Sequence, residues 1–435
     1  MPGQSSRREF LKTAALTGLG LWVADRSWAQ KGKSPNEQIS FACIGVDGKG
    51  ASDTADAARL GNVVALCDVD EDKLNKAAQQ YPKARTFTDY RKMFDEMGKS
   101  IDAVTVSTPD HHHALAAAAA MHLGKHCFCQ KPLTHTIYEA RRLGELARQK
   151  KVATQMGNQG TADSSLRQMA AKLRAGVLGT VTEIHIWTDR PIWPQGIARP
   201  EPTDPPSNLH WDLWLGPAPE RPYAKDVYHP FAWRGWWDFG TGALGDMACH
   251  TMNMPFMGLD LRNPIAVQAE TSSQNRDSYP QWSIIKYEFA ALPHRPALTL
   301  TWYDGGKRPS KDLLDGQEPP ISGSLVIGDK GKLYTPGDYG GGGKITGGVD
   351  VGEVKYPESP GHFEEFVRAI KEGIPAMSNF PDYAGPLTEM VLLGNLAVWV
   401  PGQRIEWDAR HMHSKNVPEV NERVRPSYRA GYSLG

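Results

Sequence analysis

Short apolar runs alternate with helix-compatible stretches through the first third of the chain. The runs lie at 39–44, 63–67, 103–107, 126–130 and 152–156, and the segments between them recur in apolar character at helical spacing. Asp110 and either Thr134 or Thr136 stand where helix caps are needed. Repeated β-then-α units predict a doubly wound parallel sheet buried on both faces over 38–157. Past residue 158 the pattern changes. "SSLRQMAAKLRAGVLG" reads as a helix and "VTEIHIWT" as an alternating strand, with further strands expected at 266–270, 283–289, 297–303, 324–327 and within "RIEWD". Few of these are joined by crossover helices, so 158–375 is expected to be an α+β domain with a large, mostly antiparallel sheet. Residues 336–348 are glycine-rich and predict a flexible loop. "GHFEEFVRAIKEG" and "PLTEMVLLGNLAVWV" predict helices. Residues 376–435 then form a helix and a polar tail that packs back on the domains or wraps a neighbouring copy, and the uncovered sheet face predicts a homodimer or homotetramer.

The amino-terminal 29 residues belong to neither domain. Arg7 and Arg8 precede Phe10, Leu11 and Lys12, an apolar stretch runs from about residue 13 to 24, and small residues surround Ala29. This order predicts a twin-arginine export signal, with delivery of the folded chain to the periplasm by the twin-arginine machinery. The apolar stretch is too short and glycine-rich to be a stable membrane anchor.

Lys plus Arg and Asp plus Glu each number 49, so no net field favours nucleic acid or an anionic membrane. Cys43, Cys67, Cys127 and Cys129 lie in apolar β-type runs and predict buried thiols, as suits a protein that folds in a reducing compartment before export. Seven of the thirteen tryptophans fall between Trp187 and Trp237. Such a cluster is either a thick core or an aromatic platform for a carbohydrate, and Trp193, Tyr228, Trp236 and Trp237 are its candidate substrate contacts.

The strongest chemical signal is "ISFACIGVDGKGASDTADAARLGNVVALCDVDEDKL". A strand turns through Gly45, Gly48, Lys49 and Gly50 into a helix, and a second strand ends in Asp68 about 20 residues further on. Backbone N–H groups at a helix start hold a pyrophosphate. A carboxylate at that distance accepts from ribose hydroxyls and repels a 2′-phosphate, so the expected cofactor is NAD. In a doubly wound sheet the ligand lies past the carboxyl ends of the strands, which adds Thr108, Pro109, Gln130, Lys131 and Asn158 to the candidate cofactor contacts. Asp47 stands where the chain should approach the phosphates most closely.

The glycine turn, "STPDHHHA", the Lys-Pro after the 126–130 strand and the later "GTGALGDMACHTMN" together resemble the Gfo/Idh/MocA family of glucose-fructose oxidoreductases and inositol dehydrogenases. The resemblance covers essentially all of the chain beyond the signal. It implies a Rossmann domain followed by an α+β domain, with His113 beside the cofactor and with Lys131, Asp246 and His250 lining a substrate pocket next to the nicotinamide. In that reading His250 is the base for a hydroxyl proton, Lys131 holds the same oxygen, and Asp246 orients the site. Gln130 departs from the family's Glu-Lys-Pro.

Asp246 and His250 are four residues apart and share a helix face, which a local ion pair would also explain. His111, His112 and His113 lack the spacing of a closed metal site, and no metal is expected. The functions these features admit are a sugar or polyol oxidoreductase, a glycoside hydrolase or lyase working through a transient 3-keto sugar on trapped NAD, and a non-catalytic binding relic.

Overall fold

The computed structural model describes residues 38–435, so the export signal expected at 1–29 lies outside the described residues. The first sheet is built from β1 (Ser40–Ile44), β2 (Asn62–Cys67), β3 (Arg85–Phe87), β4 (Ala103–Val106), β5 (His126–Cys129) and β6 (Thr154–Met156). Its order is β3-β2-β1-β4-β5-β6, and every neighbouring pair is parallel. The direction of winding reverses between β1 and β4, and that reversal opens a crevice beyond the carboxyl ends of the strands. Cys43, Cys127 and Cys129 are fully enclosed because helices cover both faces. All five cysteines are buried free thiols, and burial pushes Cys43 up to about 11 and Cys249 to about 12.

Local chemistry sets the helix starts. Thr136 caps Ile137–Lys150 through a reciprocal capping box with Glu139. Asp110 does not cap Asp110–His122. Pro109 takes the cap position, and the Asp110 carboxylate instead accepts from Thr241 Oγ1 at 2.6 Å, which ties the first domain to the second.

The second sheet holds β7 (Val181–Trp187), β8 (Ala266–Thr271), β9 (Ser283–Phe289), β10 (Leu298–Tyr303), β11 (Gly323–Gly328), β12 (Gly331–Pro336), β13 (Lys344–Gly347), β14 (Ile405–Asp408) and β15 (His413–Ser414). The order is β13-β12-β11-β7-β10-β9-β8-β14-β15, antiparallel except where β7 meets β10. Residues 336–348 are not simply a loop: glycines at 337, 340 and 342 take positive φ to reverse the chain, and Lys344–Gly347 pairs with β12.

Helix Gly385–Trp399 is buried almost all round, as its largely apolar sequence requires. It packs on Ile137–Lys150 of the first domain, on Gly242–Thr251, and on β8 and β9. Arg141 clamps Glu389 on this helix with two bonds of 2.7 and 2.6 Å. This central helix fixes Gly242–Thr251, which carries Asp246 and His250, against the mouth of the first sheet. Among the described residues no helix is long and apolar enough to cross a membrane.

Candidate active site

A cleft of about 550 Å³ lies at the carboxyl ends of the first sheet's strands. Its outer part is the glycine turn. Gly45 has φ +78°, and a Cβ there would lie 2.6 Å from the Ser107 carbonyl oxygen. A Cβ on Gly50 would lie 2.1 Å from the Gly45 oxygen, so Gly50 packs behind the turn and does not face the cleft. Gly48 has φ +56° and faces open space. Turn, close packing and open approach are the three properties a pyrophosphate loop needs, and helix Lys49–Leu60 starts directly behind it.

The acids around this loop are each accounted for. Lys73 Nζ lies 3.1 Å from Asp47 Oδ2, and although burial alone would raise it, that ammonium holds Asp47 below its usual value. Asp47 therefore sits at the cleft as half of an ion pair, not as a free charge. Asp68 lines the cleft at the tip of β2, where its carboxylate accepts from the Val46 N–H and the Asp70 N–H, each at 3.0 Å. Burial raises its pKa despite those bonds.

Gln130 points beneath the loop. Its amide donates at 2.8 Å to Asp53, a buried carboxylate that also accepts from Ser107 Oγ at 2.7 Å and Lys49 Nζ at 2.5 Å. Asp53 is absent from the sequence-based candidates. Its one signal was the spacing of four residues from Lys49 on the same helix.

His113 lines the cleft, with its ring nitrogens turned to the backbone. Its ring nitrogens lie 2.8 Å from the Thr108 and Pro132 carbonyl oxygens, so it braces the turns that present Thr108 and Lys131. Burial pushes its pKa down to about 4, and the neutral ring donates to one carbonyl at a time. His111 and His112 likewise contact the Trp214 carbonyl oxygen, at 3.0 and 2.8 Å, so these ring nitrogens face backbone oxygens. Asn158, expected at the cofactor, is fully buried between Cys249 and Ser378 and does not line the cleft. The chain enters a short 3₁₀ turn at Gln159, and that residue stands at the wall instead.

The inner end joins both domains. Lys131 Nζ donates to the Asp246 backbone oxygen at 2.7 Å and to Asp246 Oδ1 at 2.8 Å. Arg234 Nε is 3.2 Å from the same oxygen, and Arg190 Nε is 3.9 Å from Oδ2. Burial opposes ionisation, but the charges of Lys131 and then Arg234 hold Asp246 well below the carboxylate range. These two arginines were not singled out in the sequence.

Asp246 and His250 do share a face of Gly242–Thr251, yet Asp246 pairs with Lys131 across the domain boundary. Burial, reinforced by the Lys131 charge, keeps the His250 pKa well below that of a free imidazole. Its Nδ1 is buried without a partner, and the ring meets Tyr339 edge-on at 4.9 Å. Thr108 Oγ1 is likewise buried without a partner. Orphaned polar atoms at both parts of the cleft, above an open glycine turn, fit a dinucleotide and a hydroxylated substrate.

Of the four aromatic candidates, Trp193 lines the cleft. Tyr228 and Trp236 do not. They pack with Trp214 and Phe239 in a separate aromatic core, with Trp236 fully enclosed. Trp237 is stacked on Tyr279 at 3.7 Å, also away from the cleft. Sequence alone could not separate these, because core and platform use the same rings.

The family's "NAD-binding Rossmann fold" matches residues 39–158, and its "C-terminal alpha/beta domain" matches residues 174–434. A glycosyl hydrolase family 109 protein of Solibacter usitatus is 33% identical over 152 residues, which is 31% of this chain and 35% of that protein. The levoglucosan dehydrogenase of Pseudarthrobacter phenanthrenivorans is 24% identical over 41% of this chain and 38% of its own length. The chain thus aligns with little more than a third of either relative. Among solved structures, the WlbA dehydrogenase of Bordetella pertussis, in complex with NADH and UDP-GlcNAcA, superposes with a TM-score of 0.63 at 15% identity, covering 86% of this chain and 99% of that one. With both family domains matched in order, on the sheet and cleft described above, the chain belongs to the Gfo/Idh/MocA oxidoreductase family and carries an NAD-binding Rossmann domain.

Proposed function

We propose that this protein is an exported oxidoreductase that oxidises a sugar, polyol or glycoside with NAD that it keeps tightly bound. The observation that carries the reading is His250: a buried, neutral imidazole beside Lys131, at the inner end of the cleft that the glycine turn opens. NAD supplies the hydride acceptor when bound. Lys131 would donate to the carbinol oxygen while sharing its ammonium with Asp246. As hydride leaves the carbon, the neutral imidazole takes the hydroxyl proton, and the nearby Asp246 carboxylate offsets the imidazolium charge. In the reverse direction His250 returns the proton.

The similarity to a family 109 glycosyl hydrolase supports a second reading. Oxidation of a glycoside at C3 acidifies the neighbouring C–H; loss of that proton expels the aglycone from C1, water adds, and the hydride is returned. A third reading, a non-catalytic relic, would be favoured by an unpaired carboxylate at Asp47 and by an unengaged amide at Gln130. The pairing of Asp47 with Lys73 and of Gln130 with Asp53 removes its main support.

Export in the folded state to the periplasm is part of the proposal, supported by Arg7-Arg8 with Phe10-Leu11-Lys12 and by five buried thiols. Exposed Gln268 and Lys286 mark the sheet face where copies would pair. The test begins with the purified, folded protein, denatured to release any nucleotide for identification by mass and absorbance. Near-stoichiometric NAD or NADH supports an enzyme that keeps its cofactor bound, and glycoside cleavage without net NADH selects the hydrolase reading. A protein that neither carries nor binds NAD overturns both.

A further inference from the structure

Residues 425–435 run back across both domains as a strap held at three points. The Tyr428 hydroxyl donates to Glu139 Oε1 at 2.8 Å, inside the capping box of Ile137–Lys150. The Arg429 guanidinium donates to Asp212 Oδ1 at 2.6 Å and to the backbone oxygens of Asp212 and Gly216 at 2.8 and 2.9 Å. Leu434 O lies 2.8 Å from His122 Nε2, on helix Asp110–His122. Between these ties a turn closed by Tyr432 N–H on Arg429 O aims Tyr432 at the cleft, whose wall it joins.

The part of the cleft it reaches is specific. The Tyr432 ring lies 4.9 Å from the Arg91 guanidinium carbon. Arg91 is itself held by Asp89 through bonds of 3.0, 3.1 and 2.7 Å. Asp89 and Arg91 follow β3 and line the cleft together with Asp68 at the tip of β2. In a doubly wound fold the acid at the tip of β2 marks the adenosine ribose, so the base belongs beside it. A phenol ring backed by a guanidinium is a flat, partly apolar and positively biased surface, well matched to a purine.

We propose that Tyr432, stacked on Arg91, forms the adenine-binding wall of the dinucleotide site, so that the strap 425–435 helps retain the cofactor. The inference rests on NAD being the nucleotide held in this cleft. It explains how a chain exported in the folded state could keep a nucleotide that its destination does not supply. The strap would have to lift at its tip for the adenosine half to leave.

The test compares full-length Tyr432→Ala, Tyr432→Phe and Arg91→Ala with wild type, after removal of bound nucleotide. Affinities for ADP-ribose and for nicotinamide mononucleotide are measured by calorimetry, and the rate of NAD release by dilution into a competitor. Base–aromatic stacking strengths predict about a tenfold or greater loss of ADP-ribose affinity in Tyr432→Ala and Arg91→Ala, with faster NAD release. Nicotinamide mononucleotide affinity and the apoprotein melting temperature should be unchanged, and Tyr432→Phe should behave as wild type. Unchanged ADP-ribose affinity in Tyr432→Ala overturns the proposal, as does an equal loss for nicotinamide mononucleotide, which would mark a general disturbance. If wild type binds neither NAD nor ADP-ribose, it is the assignment of the cofactor that falls, and the strap's role with it.

Discussion

The Gln130 side chain donates to Asp53 Oδ2 at 2.8 Å, so the residue before Lys131 is an amide where the family pattern has an acid, and the acid sits across the bond on the pyrophosphate helix. Ser107 and Lys49 complete the set of donors around that one carboxylate. A second carboxylate at 130 would meet the first head-on.

Gln130→Glu is therefore expected to destabilise the protein by about 1–3 kcal/mol at pH 7. The new acid would have a raised pKa in the folded state, so the loss grows as pH rises from about 4 toward 8 and is small at pH 4. The double variant Gln130→Glu, Asp53→Asn should recover most of the stability. Thermal melts of wild type and the two variants across that pH range check the pairing, and a double variant no better than the single one would remove it.

Lys131→Ala should lower kcat by roughly 10²–10⁴-fold on whatever sugar is turned over, without a matching loss of NAD binding. Asp246→Asn tests the electrostatics more sharply. Asp246 is the charge that raises the His250 pKa against burial and Lys131, so removing it lowers that pKa further. The acid limb of kcat/KM, where the base becomes protonated, should move to lower pH. A limb that stays in place would show that His250 does not titrate in that profile.

Asp68 holds the Val46 N–H as well as facing the cleft, so Asp68→Ala should weaken both dinucleotides. The NAD affinity should fall more than that for NADP, narrowing the preference by about tenfold or more as the like-charge repulsion of the 2′-phosphate is lost. Equilibrium binding of the two cofactors measures it.

The tryptophan-rich segment divides into two behaviours. Trp193→Ala should raise KM for the substrate several-fold as well as lower stability, because Trp193 forms cleft wall and is itself largely buried, whereas Trp236→Ala should leave KM unchanged. Trp236→Ala empties a fully enclosed site in the aromatic core and should cost about 3–5 kcal/mol of stability. Chemical denaturation and steady-state kinetics on the two variants separate the roles.

The sequence by itself determined the alternation of apolar strands and helices, the glycine turn with Asp68, and the presence of Lys131, Asp246 and His250, because each depends on spacing along the chain. Strand Arg85–Phe87 escaped it, being three residues at a sheet edge with little apolar signal. Which partner Asp246 takes was beyond it as well: helical spacing offers His250, whereas docking of the domains through Gly385–Trp399 brings Lys131 to 2.8 Å. The same holds for Asp53 under Gln130, for Asn158 turned into the core, and for Tyr432, more than 340 residues from Arg91 in the chain and stacked on it in the fold. Periodicity reports how a segment buries its own face. Which distant segment completes a site is decided only when those faces pack.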